Sequence, residues 1–197
     1  MKKLALSLAS IVVLSGISFA EEGMASVEIV NPFYAGIALG VSSTRGSDAD
    51  LDFFRSKAGQ ERMINLTLNA GYDLNKYFAG EVRYTASIAK DDVVEMSGWS
   101  LFVKPQYPVD VDIKLYALLG YGGVAVDGVT VSRPVKVDDS GFQWGLGASY
   151  SLNNVTDYNI EIYADYTSLA NEMDAIYWNG DLKTSADALT AGAAFRF

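Results

Sequence analysis

Taken in steps of two, the chain sorts repeatedly into two faces of different character. Phe33 to Ser42 puts Phe33, Ala35, Ile37, Leu39 and Val41 on one side and Tyr34, Gly36, Ala38, Gly40 and Ser42 on the other. Met63 to Asp73 sets Ile64, Leu66, Leu68, Ala70 and Tyr72 against Asn65, Thr67, Asn69, Gly71 and Asp73. Phe78 to Ala89 sets Phe78, Val82, Tyr84, Ala86 and Ile88 against Glu81, Arg83, Thr85 and Ser87. Successive side chains of a strand point to opposite faces, so the alternation predicts strands.

Five more runs follow the same rule. Gly98–Tyr107 opposes Trp99, Leu101, Val103 and Tyr107 to Ser100, Lys104 and Gln106; Pro105, which has no N–H for a ladder, weakens the run and is expected near a strand end. Ile113–Val126 begins with Lys114 and Tyr116 opposite Ile113, Leu115 and Ala117. Its register blurs at Gly120, Gly122 and Gly123, which predicts a bulge or bend. Phe142–Leu152 opposes Phe142, Trp144, Leu146, Ala148 and Tyr150 to Gln143, Gly145, Gly147, Ser149 and Ser151. Tyr158–Leu169 opposes Ile160, Ile162, Ala164 and Tyr166 to Asn159, Glu161, Tyr163, Asp165 and Thr167. The last run, Leu189–Phe197, ends the sequence on an aromatic inside a strand. Such a strand needs a partner, and the first strand is the one left over.

The connections alternate in length. Asp73–Lys76, Pro108–Asp112 and Leu152–Asp157 are short and carry the Asn, Asp and Pro of tight turns. Ser43–Glu61, Lys90–Ser97, Asp127–Gly141 and Ala170–Ala186 are mostly longer, polar and acidic, and read as loops at the opposite end. The expected fold is all-β: an eight-stranded antiparallel barrel of up-and-down topology.

Which face carries charge decides what surrounds it. Within the strands, Glu81, Arg83, Lys104, Lys114, Glu161, Asp165 and Arg196 all fall on the Gly/Ser/Thr/Asn face. Small and charged side chains cannot build a dry core, yet they suit a narrow polar lumen. Large apolar ones facing outward would aggregate in water and suit lipid. The barrel therefore reads as transmembrane, with runs close to the roughly 9–11 residues a tilted strand needs to cross a bilayer. Phe33, Tyr72, Phe78, Tyr107, Tyr150, Tyr158 and Phe197 gather near the short-turn end as one interfacial girdle, with Trp99 and Phe142 at the other rim.

The N-terminus differs in kind. Lys2 and Lys3 precede an apolar run from Leu4 to Phe19, and Ser18-Phe19-Ala20 has the small-x-small form of a cleavage site. This predicts a signal peptide over residues 1–20 and a barrel domain over 21–197. The run is short of the ~20 residues an uncleaved anchor would need. Loss of the two lysines takes the net charge from −9 to −11, which opposes a nucleic-acid partner. The sequence has no cysteine, so neither disulfides nor an N-terminal lipid on Cys is available.

Candidate chemistry is sparse. The sequence contains no histidine, the usual base that activates a nucleophile or water near neutral pH, and no Cys/His metal cluster. Glu161 and Asp165, four apart on one strand face, read as partners of lumen bases rather than a catalytic pair. Gly120–Gly123 is followed by no Lys-Ser/Thr helix start, so it is no phosphate loop. Asp48, Asp50 and Asp52 resemble the start of a calcium loop but lack its Gly and closing Glu. The expectation is a non-enzymatic protein without cofactor or metal. Three lumen acids (Glu81, Glu161, Asp165) against four bases (Arg83, Lys104, Lys114, Arg196) suggest a salt-bridged, mostly occluded lumen, since an unpaired confined charge is costly.

Through LYALLGYGGVAV (Leu115–Val126), GFQWGLGASYSL (Gly141–Leu152), IEIYADYTSL (Ile160–Leu169) and the terminal AAFRF (Ala193–Phe197), the chain resembles the small outer-membrane barrels, the group of OmpA-like transmembrane domains and opacity-type porins. The resemblance implies residence in the bacterial outer membrane among lipids and lipopolysaccharide. It also implies recognition of Phe197 by the barrel-assembly machinery. Unlike full OmpA-type proteins, the sequence shows no peptidoglycan-binding domain after the barrel, so wall anchoring is not expected. The expected role is that of a monomeric envelope protein exposing acidic loops. The alternatives are a small or gated porin-like channel, or an adhesin whose loops meet a host or surface ligand.

Overall fold

The computed structural model describes residues 31–46, 51–54, 60–90, 94–130, 133–153, 158–177 and 180–197. The expected leader with its cleavage site at Ala20, and the residues Asp48 and Asp50, lie outside the described residues. Eight strands follow in chain order: β1 (Phe33–Gly46), β2 (Gln60–Asn75), β3 (Phe78–Lys90), β4 (Val94–Pro108), β5 (Ile113–Thr130), β6 (Arg133–Ser151), β7 (Ile160–Tyr177) and β8 (Gly180–Arg196). Each pairs antiparallel with the next, and β8 closes on β1. Closure leaves no unpaired edge in the apolar zone, a condition every membrane-spanning sheet must meet.

The two faces separate as the alternation predicts. Along β2, Asn65, Thr67, Asn69 and Asp73 are buried, whereas Ile64, Leu68 and Tyr72 are exposed. Outward-facing Leu39, Leu101, Leu115 and Leu146 are each more than half exposed, while inward Glu81, Arg83, Lys104 and Asp165 are all nearly inaccessible. This polarity is the reverse of a water-soluble core and suits a lipid surround.

Local chemistry explains the ends. Asn75 accepts the N–H of Tyr77 at 2.8 Å and of Phe78 at 2.9 Å, folding the two-residue β2–β3 turn around its side chain. Phe197 donates its N–H to the Phe33 carbonyl at 3.0 Å, and its ring stacks on Phe33 at 6.4 Å and on Phe195 at 6.2 Å. Phe33 meets Tyr72 edge-on at 4.7 Å, so the short-turn rim is a contiguous aromatic surface here.

Two expectations need correcting. The glycines of β5 make no bulge: pairing with β4 and with β6 runs in unbroken register through Gly120–Gly123. They are close-approach positions instead; a Cβ at Gly120 would strike the Leu101 carbonyl oxygen of β4. Pro105 stands near the end of β4, as expected: the strand closes at Pro108, the β4–β5 ladder skips Lys104 and Pro105, and Pro105 pairs with Phe78 of β3. Finally, three of the four long loops are mostly strand. Asp127–Gly141 is reduced to the link between Thr130 and Arg133, and Ala170–Ala186 to that between Tyr177 and Gly180. Likewise Lys90–Ser97 shrinks to the stretch between Lys90 and Val94. Beyond the membrane neither face must be apolar, so the hydrophobic period fades while pairing persists.

At this far end the wall divides. Among the described residues the β6–β7 ladder stops at Trp144–Ser168 and the β3–β4 ladder at Ala86–Ser97. β4, β5 and β6 continue together, as do β7, β8, β1, β2 and β3. Side chains replace ladder bonds at both forks: the Gln143 amide donates to the Leu169 carbonyl at 2.8 Å, and Met96 N–H donates to Ser87 Oγ at 3.0 Å. Met96 and Val124 of one sheet pack with Met63, Leu169, Ala186 and Ala188 of the other in a buried apolar cluster.

Candidate functional site in the barrel interior

The period-two geometry that turns leucines to lipid turns the charged residues of six strands inward, where they meet. Arg83 of β3 is the hub. Its Nε lies 2.5 Å from Glu81 Oε1, and its two terminal nitrogens reach Asp165 of β7 at 2.9 and 2.8 Å, a fork-to-fork pairing. Lys104 of β4 donates to the other Glu81 oxygen at 3.0 Å. Three hydroxyls complete these carboxylates: Tyr34 donates to Glu81 at 2.5 Å, and Tyr116 and Thr190 donate to Asp165 at 2.8 and 2.7 Å.

Aromatic rings enclose the cations. The Lys104 ammonium sits 4.1 Å from the Tyr116 ring centroid and 5.1 Å from that of Tyr34. The Arg83 guanidinium lies 5.7 Å from Phe102 and 5.9 Å from Tyr163, whose hydroxyl donates to Asn69 at 2.8 Å. Such contacts gain strength away from water. Backbone at Gly147 makes room for one ring: a Cβ there would lie 2.5 Å from Tyr116 Cζ and 2.6 Å from the Asp165 Cβ. Gly71 does the same for Tyr34.

A second cluster lies toward the short-turn end. Arg196 of β8 reaches Glu161 with Nε at 2.9 Å and with a terminal nitrogen at 2.8 Å, and pairs with Asp73 through the other. Lys114 donates to Glu161 at 3.2 Å, and the Gln106 amide donates to Asp73 at 3.1 Å. All seven residues singled out in the sequence thus enter ionic contacts, divided between two clusters. Phe197 stands apart, at the closing seam.

Asp73 is the acid missing from the sequence count. Its turn-forming residue type hides it, although its parity on β2 is that of Asn65 and Asn69. With Asp73 included, four acids (Asp73, Glu81, Glu161, Asp165) meet four bases (Arg83, Lys104, Lys114, Arg196). Parity sets Tyr34, Tyr116 and Thr190 on the inward face, but it does not reveal their roles as hydroxyl donors to the carboxylates, nor the apolar cluster around Met63 and Met96. Extending each strand's parity past its clear apolar run would have found Met63, Met96 and Leu169. No group of His, Cys, Asp and Glu able to hold a metal occurs among the described residues.

The sequence matches the outer membrane protein beta-barrel domain over residues 7–197. In fold the chain is similar to Neisserial surface protein A, with a TM-score of 0.57 and 14% identity over 84% of this chain and 97% of that one. It is similar to the N-terminal β-barrel domain of Pseudomonas aeruginosa OprF, at 0.56 and 14% over 85% and 98%. Ail, the attachment invasion locus protein of Yersinia pestis, gives 0.53 and 16% over 83% and 98%. At such identities the likeness concerns the fold alone. No curated protein matches the chain in sequence. A sequence match spanning nearly the full length, on a closed barrel of inverted polarity, settles family and compartment: the chain belongs to the outer membrane protein beta-barrel family and resides in the bacterial outer membrane.

Proposed function

We propose that this protein is a monomeric, non-enzymatic barrel of the outer membrane whose lumen is closed to solutes, and that it serves the envelope as a structural element and as a carrier of surface hairpins. One observation carries the reading: charge-balanced ionic clusters and an apolar layer succeed each other along the same narrow interior. Eight strands enclose a space only about wide enough for side chains. Tyr34, Tyr116, Phe102 and Leu118 are nearly inaccessible within it. The apolar layer lies between the two diverging sheets, where an ion would lose its hydration without gaining a partner.

The reading that the barrel-assembly machinery recognises Phe197 is supported by its place on the closing seam, where its ring and N–H meet Phe33. The surface role rests on length: β5 to β8 have 18, 19, 18 and 17 residues, well past the roughly 9–11 that cross a bilayer. Ail has been solved with the heparin analogue sucrose octasulfate. A net charge of −9 disfavours such a polyanion here, so any surface ligand would be of different charge character. Liposome swelling tests the closed lumen. Vesicles carrying the folded protein are expected to swell in isotonic small sugars no faster than empty ones, and faster swelling would favour the porin-like alternative.

A further inference from the structure

Where it is described, the β1–β2 connection lies back against the barrel wall. Gln60 Nε2 donates to the Asp52 carbonyl at 2.5 Å, Arg62 to the Phe53 carbonyl at 3.4 Å, and Phe54 N–H to Asp52 Oδ1 at 2.9 Å. The Phe53 ring meets Tyr166 of β7 edge-on at 6.1 Å, and Tyr166 meets Trp144 of β6 at 5.5 Å. Trp144 and Tyr166 belong to the outward face, so Phe53 is seated outside the barrel. Burial agrees: Ser42 and Ser43 point to opposite faces, yet both are inaccessible.

The covered strip explains the need. Arg62, Ser43, Asp187 and Ser168 pair in one row across β2, β1, β8 and β7. This row is polar on the outer face, and it includes the Arg45–Asp187 ion pair at 3.2 Å and the Tyr166 hydroxyl donating to Asp187 at 2.6 Å. On β4, β5, β6 and β7 the corresponding rim carries Trp99, Tyr121, Phe142, Trp144 and Tyr166. At that rim the described residues of β8 and β1 supply no aromatic. The loop brings two: Phe53 against Tyr166, and Phe54, 81% exposed.

We propose that Phe53–Phe54 is a loop-borne segment of the outer-leaflet aromatic girdle, Phe53 shielding the polar strip and Phe54 entering the boundary between headgroups and acyl chains. Continuity with the existing apolar band selects lipid as the occupant. An aromatic ring at that depth gains from its apolar body while the neighbouring peptide groups stay wet.

The absence of cysteine from the sequence makes single-site labelling clean. Nitroxide labels at Phe54→Cys, Leu146→Cys and Asp139→Cys, in the folded protein in dilauroylphosphatidylcholine vesicles, report collision with oxygen against a water-soluble nickel chelate. The label at 54 is expected to favour oxygen, as at 146, with the preference reversed at 139. A label at 54 that behaves like the one at 139 would overturn the proposal and point to a water-facing partner. In a second variant, Phe54→Trp, the added emission is expected to be quenched by brominated acyl chains; unquenched added emission would overturn the proposal equally.

Discussion

At the scale of single residues, the interior is governed by the cost of an unpaired charge in a confined space. Arg83 touches both Glu81 and Asp165, and all three are nearly inaccessible. Arg83→Ala takes the ionic partner from Asp165 and leaves Glu81 to Lys104, and is expected to cost about 3–5 kcal/mol. Replacing Arg83 and Asp165 together by leucine should cost less than the two single changes added, because the cycle removes the pair rather than orphaning one member. Urea unfolding of the vesicle-embedded protein measures both. The charged residues were legible from parity alone, since a charge on the small-residue face has nowhere to point but inward. Asp73 was not, because Asp at a strand end serves turns as readily as ion pairs.

At the scale of strands, the sequence announces each element only where lipid demands it. Leu146 stands midway between Phe142 and Tyr150 on β6 and faces outward, 59% exposed. Leu146→Arg is expected to cost about 2–4 kcal/mol in bilayers. Thr67→Arg, directed inward against Thr85 at 2.9 Å, should be resisted by crowding and depend little on bilayer thickness. Past the membrane the alternation ceases to be enforced, so β5 to β8 extend far beyond their legible runs. The forks in the wall were illegible for another reason: they depend on which neighbours stop pairing. Gln143 caps the carbonyl that the β6–β7 fork frees, and Gln143→Ala is expected to cost about 1–3 kcal/mol, the penalty of a buried unsatisfied polar group. Amide exchange at the fork should quicken in the same variant.

At the scale of the whole molecule, inverted polarity, closure and ionic pairing within the barrel belong to one design. Lipid accepts the leucines, closure removes the edges, and the polar residues turned away from lipid must satisfy one another. Charge balance inside the barrel follows from that requirement. The closed lumen is the central claim, and single-channel recording in planar bilayers tests it most directly. The protein is predicted to give no unitary current steps, while a variant with Met63, Met96 and Leu169 cut to glycine and Arg83 and Asp165 to alanine should begin to leak ions. Reproducible, ion-selective unitary steps from the unaltered protein would contradict the account.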